Sequence, residues 1–132
     1  MEKKAKILLI DDDIDFVDAT KTILESKPYE VIVAYEGDEG LRKAREENPA
    51  LILLDVIMPI KDGFSAAEQL KKDPQLSKIP VIILTSYSAR RAGTSIPVSR
   101  GLELEAEDYI EKPISPEHLL NLVEKYLKTL GS

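Results

Sequence analysis

Ile7-Leu8-Leu9-Ile10-Asp11-Asp12-Asp13 decides how the rest of the chain is read: four aliphatic residues with no alternation, then three carboxylates in a row. A continuous apolar run this short suits a strand buried on both faces, as in a parallel sheet covered by helices above and below. Three more runs repeat the pattern, Val31-Ile32-Val33-Ala34, Leu51-Ile52-Leu53-Leu54 and Val81-Ile82-Ile83-Leu84. A weaker fifth candidate is Asp108-Tyr109-Ile110.

Amphipathic stretches separate these runs. Phe16, Val17, Thr20, Ile23 and Leu24 recur at helical spacing, with Asp13 placed to cap the helix and Pro28 to end it. Leu41, Ala44 and Arg45 follow Gly37-Asp38, and Asp38 is the expected cap of the second helix. Phe64, Ala67 and Leu70 form a third, closed by Asp73-Pro74. Ser115-Pro116-Glu117 then supplies a capping hydroxyl, a proline for the first turn and an acid near the positive end of the dipole. The stripe Leu119, Leu120, Val123, Tyr126, Leu127 and Leu130 follows. Strand and helix alternate about five times, which predicts an α/β fold with a doubly wound five-stranded parallel sheet. Crossovers are expected to be right-handed, with ligands at the carboxyl ends of the strands.

A chain of 132 residues fits a single domain, 1–132, with a core over about 6–130. With 43% hydrophobic and 32% charged residues, a folded soluble domain is expected and a disordered chain is not. The net charge of −6 argues against direct nucleic-acid binding, which needs a basic patch. Cysteine is absent, which removes disulfides and thiolate chemistry and suits a cytoplasmic location. The run at residues 7–10 is too short for an export signal, and nothing approaches the roughly 20 apolar residues of a membrane span.

Polar residues stand where the strands end: Asp11, Asp12 and Asp13 after the first, Asp55 after the third, Thr85 and Ser86 after the fourth, Lys112 after the fifth. A parallel sheet gathers them at one edge. Close carboxylates repel and call for a proton or a cation, and Mg²⁺ prefers oxygen ligands while keeping waters that a phosphate can replace. A carboxylate can also be the nucleophile in phosphoryl transfer, with a hydroxyl and an ammonium balancing the transferred charge. Each of these residues alone reads as an ordinary turn, cap or solvated side chain. Together, after four different strands, they form a complementary set.

In their order and spacing these pieces resemble the receiver domains of bacterial two-component response regulators. The resemblance is carried by residues 7–13, by Asp55-Val56-Ile57-Met58-Pro59 with Asp62-Gly63, by Ile83-Leu84-Thr85-Ser86 and by Asp108-Tyr109-Ile110-Glu111-Lys112-Pro113, and covers roughly residues 6–130. It implies a flavodoxin-like (βα)5 fold. It also implies that Asp55 accepts a phosphoryl group from a sensor histidine kinase or phosphotransfer protein. The implied Mg²⁺ (or Mn²⁺) ligands are Asp12 directly, Asp11 mostly through water, Asp55, and the backbone carbonyl of Ile57. Thr85 and Lys112 bond phosphoryl oxygens, Tyr109 is the aromatic switch, and Lys112-Pro113 is a cis peptide. A downstream protein target is implied as well; the oligomeric state is left open.

The chain departs from the family in places. Thr85 and Lys112 are 27 residues apart, longer than the family's usual spacing, so the fourth crossover is expected to be enlarged or irregular. Residues 90–101 contain Gly93, Pro97 and Gly101, poor choices for one regular helix, with Arg90, Arg91 and Arg100. Ile57 and Tyr87, two residues after Asp55 and Thr85, are bulky and offer no acid or amide to orient a hydrolytic water. Slow loss of the phosphoryl group is therefore expected. Two alternatives stand beside this reading. A pseudo-receiver binds a partner without phosphorylation, although the acceptor residues are all present. A haloacid-dehalogenase-like phosphatase also uses an aspartate nucleophile, but needs a second Asp where this chain has Ile57. His118, the only histidine, is read as a surface residue.

Overall fold

The structure, a computed structural model, describes residues 5–55, 63–86, 108–112 and 114–131. Its strands are β1 (Ala5–Ile10), β2 (Tyr29–Ala34), β3 (Leu51–Asp55), β4 (Val81–Ser86) and β5 (Asp108–Lys112). Its helices are α1 (Ile14–Glu25), α2 (Gly37–Glu47), α3 (Gly63–Lys72) and α4 (Pro116–Gly131). Every expected apolar run is a strand, each longer by one or two residues than the run itself. The expected enlargement of the fourth crossover falls on 87–107, outside the described residues.

The sheet has the order β2-β1-β3-β4-β5, and all its pairings are parallel. From β1 the chain steps out to β2, then returns across β1 to β3. Neighbouring connections leave β1 and β3 toward opposite sides, so a crevice opens at their carboxyl ends. Register sets what meets there. Ile10 pairs with Leu54, which puts Asp11 and Asp55 on the next rung.

Side chains alternate across the sheet and divide the core in two. Ile7, Leu9, Leu51, Leu53, Ile82 and Leu84 pack with Val17 and Leu24 of α1 and Leu119 and Val123 of α4. Leu8, Ile10, Ile52, Leu54, Val81 and Ile83 pack with Leu41 and Ala44 of α2 and Leu70 of α3. Residues Ile7, Leu8, Leu9 and Ile10 are all fully buried, which explains the lack of alternation in the sequence. Each such side chain contributes about 1.5–3 kcal/mol relative to exposure.

Helix starts follow local chemistry. Asp13 caps α1, its Oδ1 accepting from the Phe16 N–H at 3.1 Å. Ser115 caps α4, its Oγ accepting from the His118 N–H at 3.1 Å, and His118 is exposed as expected. The start of α2 differs from expectation. Its N-cap is Glu36, without a side-chain cap bond, and Asp38 lies inside the first turn. The reason is Glu39, which reaches back to accept from the Tyr35 N–H at 2.7 Å and satisfies a donor there. Asp38 still sits where negative charge favours the dipole. At the other end of α2, Asn48 takes the left-handed conformation, with φ 49°, and its N–H donates to Ala44 O at 2.9 Å.

Candidate functional site

The three aspartates after β1 have three different jobs. Asp11 is fully buried, and its backbone N–H donates to Ala34 O at 3.0 Å, prolonging the β1–β2 ladder by one residue. Its Oδ1 accepts from the Asp13 N–H at 3.0 Å, closing a tight turn around the carboxylate. Asp12 is exposed, at the tip of that turn. Asp13 uses its carboxylate to cap α1 and is not one of the clustered carboxylates. The turn therefore anchors one carboxylate inside and leaves another open to solvent.

Asp55 ends β3, only 4% exposed, with Leu84 of β4 as its strand partner. Asp11, Asp12 and Asp55 each offer an oxygen, and these oxygens lie within 4.8 Å of one another. Two unit charges at that separation repel by roughly 3 kcal/mol at an effective dielectric constant of 20. Burial of two of the three groups screens them less than bulk water would. The donor set is all oxygen and anionic, as a hard divalent cation requires, and opposite ligands of Mg²⁺ stand about 4.2 Å apart. Neighbouring ligands stand only about 3 Å apart, so a modest closing of the three carboxylates would let them share one ion, and the residues fit it.

The other expected site residues lie around this cluster by backbone position. Thr85 is one residue past the Leu84 that pairs with Asp55, and itself pairs with Glu111. Lys112 pairs with Ser86 at the carboxyl end of β5, and Tyr109 pairs with Ile83 three rungs below. All are thus carried by strands that end at the same edge as β1 and β3. The Ile57 carbonyl and Pro113 lie outside the described residues. An open groove of about 610 Å³, lined among others by Lys6, Glu47, Asn48, Gln75 and Lys78, sits at the amino ends of the strands, far from the carboxylates. It has no part in this chemistry. Sequence reasoning missed the close seat of α2 on β1 through Gly40, whose only sign was a glycine inside an amphipathic stretch.

Electrostatics beyond the cluster is local. Glu39 is held below its ordinary range, first by the Tyr35 N–H and then by Lys43 at 3.3 Å, against the effect of burial. Asp73 is likewise lowered, first by the Gln75 N–H and then by Arg45 at 3.1 Å. Both tie the loops around α2 and α3 rather than the crevice. No helix among the described residues is long and apolar enough to cross a membrane.

Comparison with known proteins agrees with this geometry. The model of the response regulator receiver domain family matches residues 7–124. The probable transcriptional regulator ycf27 of Cyanophora paradoxa is 38% identical over 125 residues, 95% of this chain and 49% of that protein. Protein PilH of Pseudomonas aeruginosa is 35% identical over 123 residues, 93% of this chain and 98% of PilH. This chain spans about half the length of the ycf27 proteins it matches. Among solved structures, the receiver domain of a signal transduction histidine kinase from Syntrophus aciditrophicus superposes with TM-score 0.83 at 35% identity, covering 95% of this chain and 91% of that one. Chemotaxis protein CheY4 of Vibrio cholerae gives TM-score 0.81 at 28% identity, covering 94% and 99%. With the family model spanning most of its length and the acidic cluster at the expected sheet edge, the chain belongs to the response regulator receiver domains of two-component signalling.

Proposed function

We propose that this receiver domain, residues 1–132, is a phospho-acceptor that takes a phosphoryl group on Asp55 from a phosphohistidine of a sensor kinase or phosphotransfer protein. The observation that carries the reading is the cluster of Asp11, Asp12 and Asp55, three carboxylates within 4.8 Å at the carboxyl ends of β1 and β3. A carboxylate oxygen of Asp55 attacks phosphorus, the bond from phosphorus to the histidine nitrogen breaks, and the electron pair stays on that nitrogen. Asp11, Asp12, Asp55 and the Ile57 carbonyl would hold Mg²⁺ (or Mn²⁺), which supplies positive charge against the transferred phosphoryl oxygens.

The new group carries about −1.5 to −2 charge and fresh acceptor oxygens, by analogy with phosphorylated hydroxyl side chains. The Thr85 hydroxyl donates to one oxygen and the Lys112 ammonium pairs with another, and Tyr109 turns inward as Thr85 moves. Driving such an equilibrium from 1:99 to 99:1 takes about 5.5 kcal/mol of preference, within reach of a few charge-assisted bonds. A downstream protein target reads the altered surface. The absence of cysteine suits a cytoplasmic setting.

Intact mass after treatment with acetyl phosphate tests the assignment. One added phosphoryl group is expected in Mg²⁺, none without the ion, and none in Asp55→Asn. A folded wild type that gains nothing in Mg²⁺ would overturn the reading. With Ile57 and Tyr87 beside the site in sequence, the aspartyl phosphate is expected to outlast minutes; release within seconds in Mg²⁺ contradicts that expectation.

A further inference from the structure

The acidic cluster is built on β1, and α2 presses on β1 from one side. Gly40, early in α2, is buried, as is Ile10, the last residue of β1. A β-carbon at Gly40 would stand 2.4 Å from Ile10 Cδ1, 2.8 Å from Cγ1 and 3.2 Å from Cγ2. Carbon atoms in good contact sit about 3.5–4.0 Å apart. Three atoms of one side chain are involved, so turning the terminal methyl does not clear the space. Isoleucine is stiff at χ1, and Ile10 is enclosed by Ala34, Leu41 and Leu54 in the same core cluster. A close-packed interior passes such a push on to its neighbours.

The neighbours are the site. Ile10 is bonded to Asp11, whose N–H is fixed on Ala34 O at 3.0 Å. Ile10 also pairs with Leu54, one residue before Asp55. The rung that Gly40 touches therefore lies directly beneath two of the three clustered carboxylates.

We infer that Gly40 is a positioning residue for the acidic cluster: by letting α2 lie against Ile10, it sets where Asp11 stands relative to Asp55, and thereby the affinity for a divalent cation. The inference rests on the reading of the cluster as a Mg²⁺ site. Gly40→Ala forces Ile10 aside and spreads the carboxylates. The loss expected is about tenfold in Mg²⁺ affinity, the low end of what disturbing a support outside the ligand shell costs. Ile10→Val removes Cδ1, the atom in closest conflict, so Ile10→Val/Gly40→Ala should regain much of that loss.

Calorimetric titration of the full chain with Mg²⁺ alone, beside thermal unfolding of each variant, tests this. Weaker binding in Gly40→Ala with recovery in the double variant supports the inference. A lowered Tm with wild-type affinity reduces Gly40 to a packing residue and overturns it, as does lost affinity that Ile10→Val fails to restore. Should Gly40→Ala not fold, Ile10→Val alone is compared with Ile52→Val, the same deletion on the same face of β3. Weaker Mg²⁺ binding only in Ile10→Val is expected, and equal behaviour of the two overturns the inference. Wild type that takes up no Mg²⁺ overturns the metal site itself, and the role of Gly40 with it.

Discussion

Asp13 joins the site to the helix behind it through two bonds: its N–H holds Asp11 Oδ1 and its carboxylate caps α1. Asp13→Ala removes only the second. It should cost about 1 kcal/mol in a urea titration, as lost N-caps do, while Mg²⁺ affinity stays near wild type. Glu39 offers a pH test. Its pKa is lowered on folding, so its stabilisation is present above its ordinary value of 4.5 and fades as pH falls through the lower folded value. Glu39→Gln should therefore flatten the fall of stability with acid below about pH 4.5, read from midpoints at several pH values. At this scale the sequence showed the cap, since Asp13 stands just ahead of a helical stripe. It could not show that Glu39 rather than Asp38 serves the start of α2. Both acids suit a first turn, and only the path of the chain at Tyr35 decides between them.

Each helix joins the sheet in its own way. Two of the four starts, those of α1 and α4, were legible from Asp13 and from Ser115-Pro116, because those signals are local. The close seat of α2 was not, since Gly40 meets Ile10 across 30 positions of sequence. Glycine there forgoes about 1 kcal/mol of helix propensity relative to alanine, a cost that closer packing on β1 offsets. The end of α2 depends on Asn48 at φ 49°. Asn48→Val should lose about 1–2 kcal/mol, because a β-branched residue tolerates that conformation poorly. Asn48→Gly should be neutral or slightly stabilising, and thermal midpoints of the two variants separate backbone strain from side-chain effects.

Over the whole molecule, the alternation of apolar runs and amphipathic stretches was enough to foretell a parallel sheet sandwiched by helices. Strand order brought Asp11 and Asp55 side by side, which the sequence could only suggest. Gathering like charges has a stability consequence. Without a divalent ion, Asp55→Asn should be more stable than wild type by about 1–3 kcal/mol, through relief of repulsion across less than 5 Å. With Mg²⁺ at a hundred times its Kd, wild type should gain about 2.7 kcal/mol while Asp12→Asn gains little. Chemical denaturation with and without the ion distinguishes the two effects.

The amide of Asp11 is hydrogen-bonded to Ala34 O although it lies beyond the end of β1. That makes it a natural clock inside the crevice. Its exchange with deuterated solvent should be as slow as that of the strand interior, and should quicken whenever the edge of the sheet breathes open. Following that one proton, free and with Mg²⁺ bound, would time the opening of the crevice in the unaltered protein, with no label attached and no carboxylate replaced.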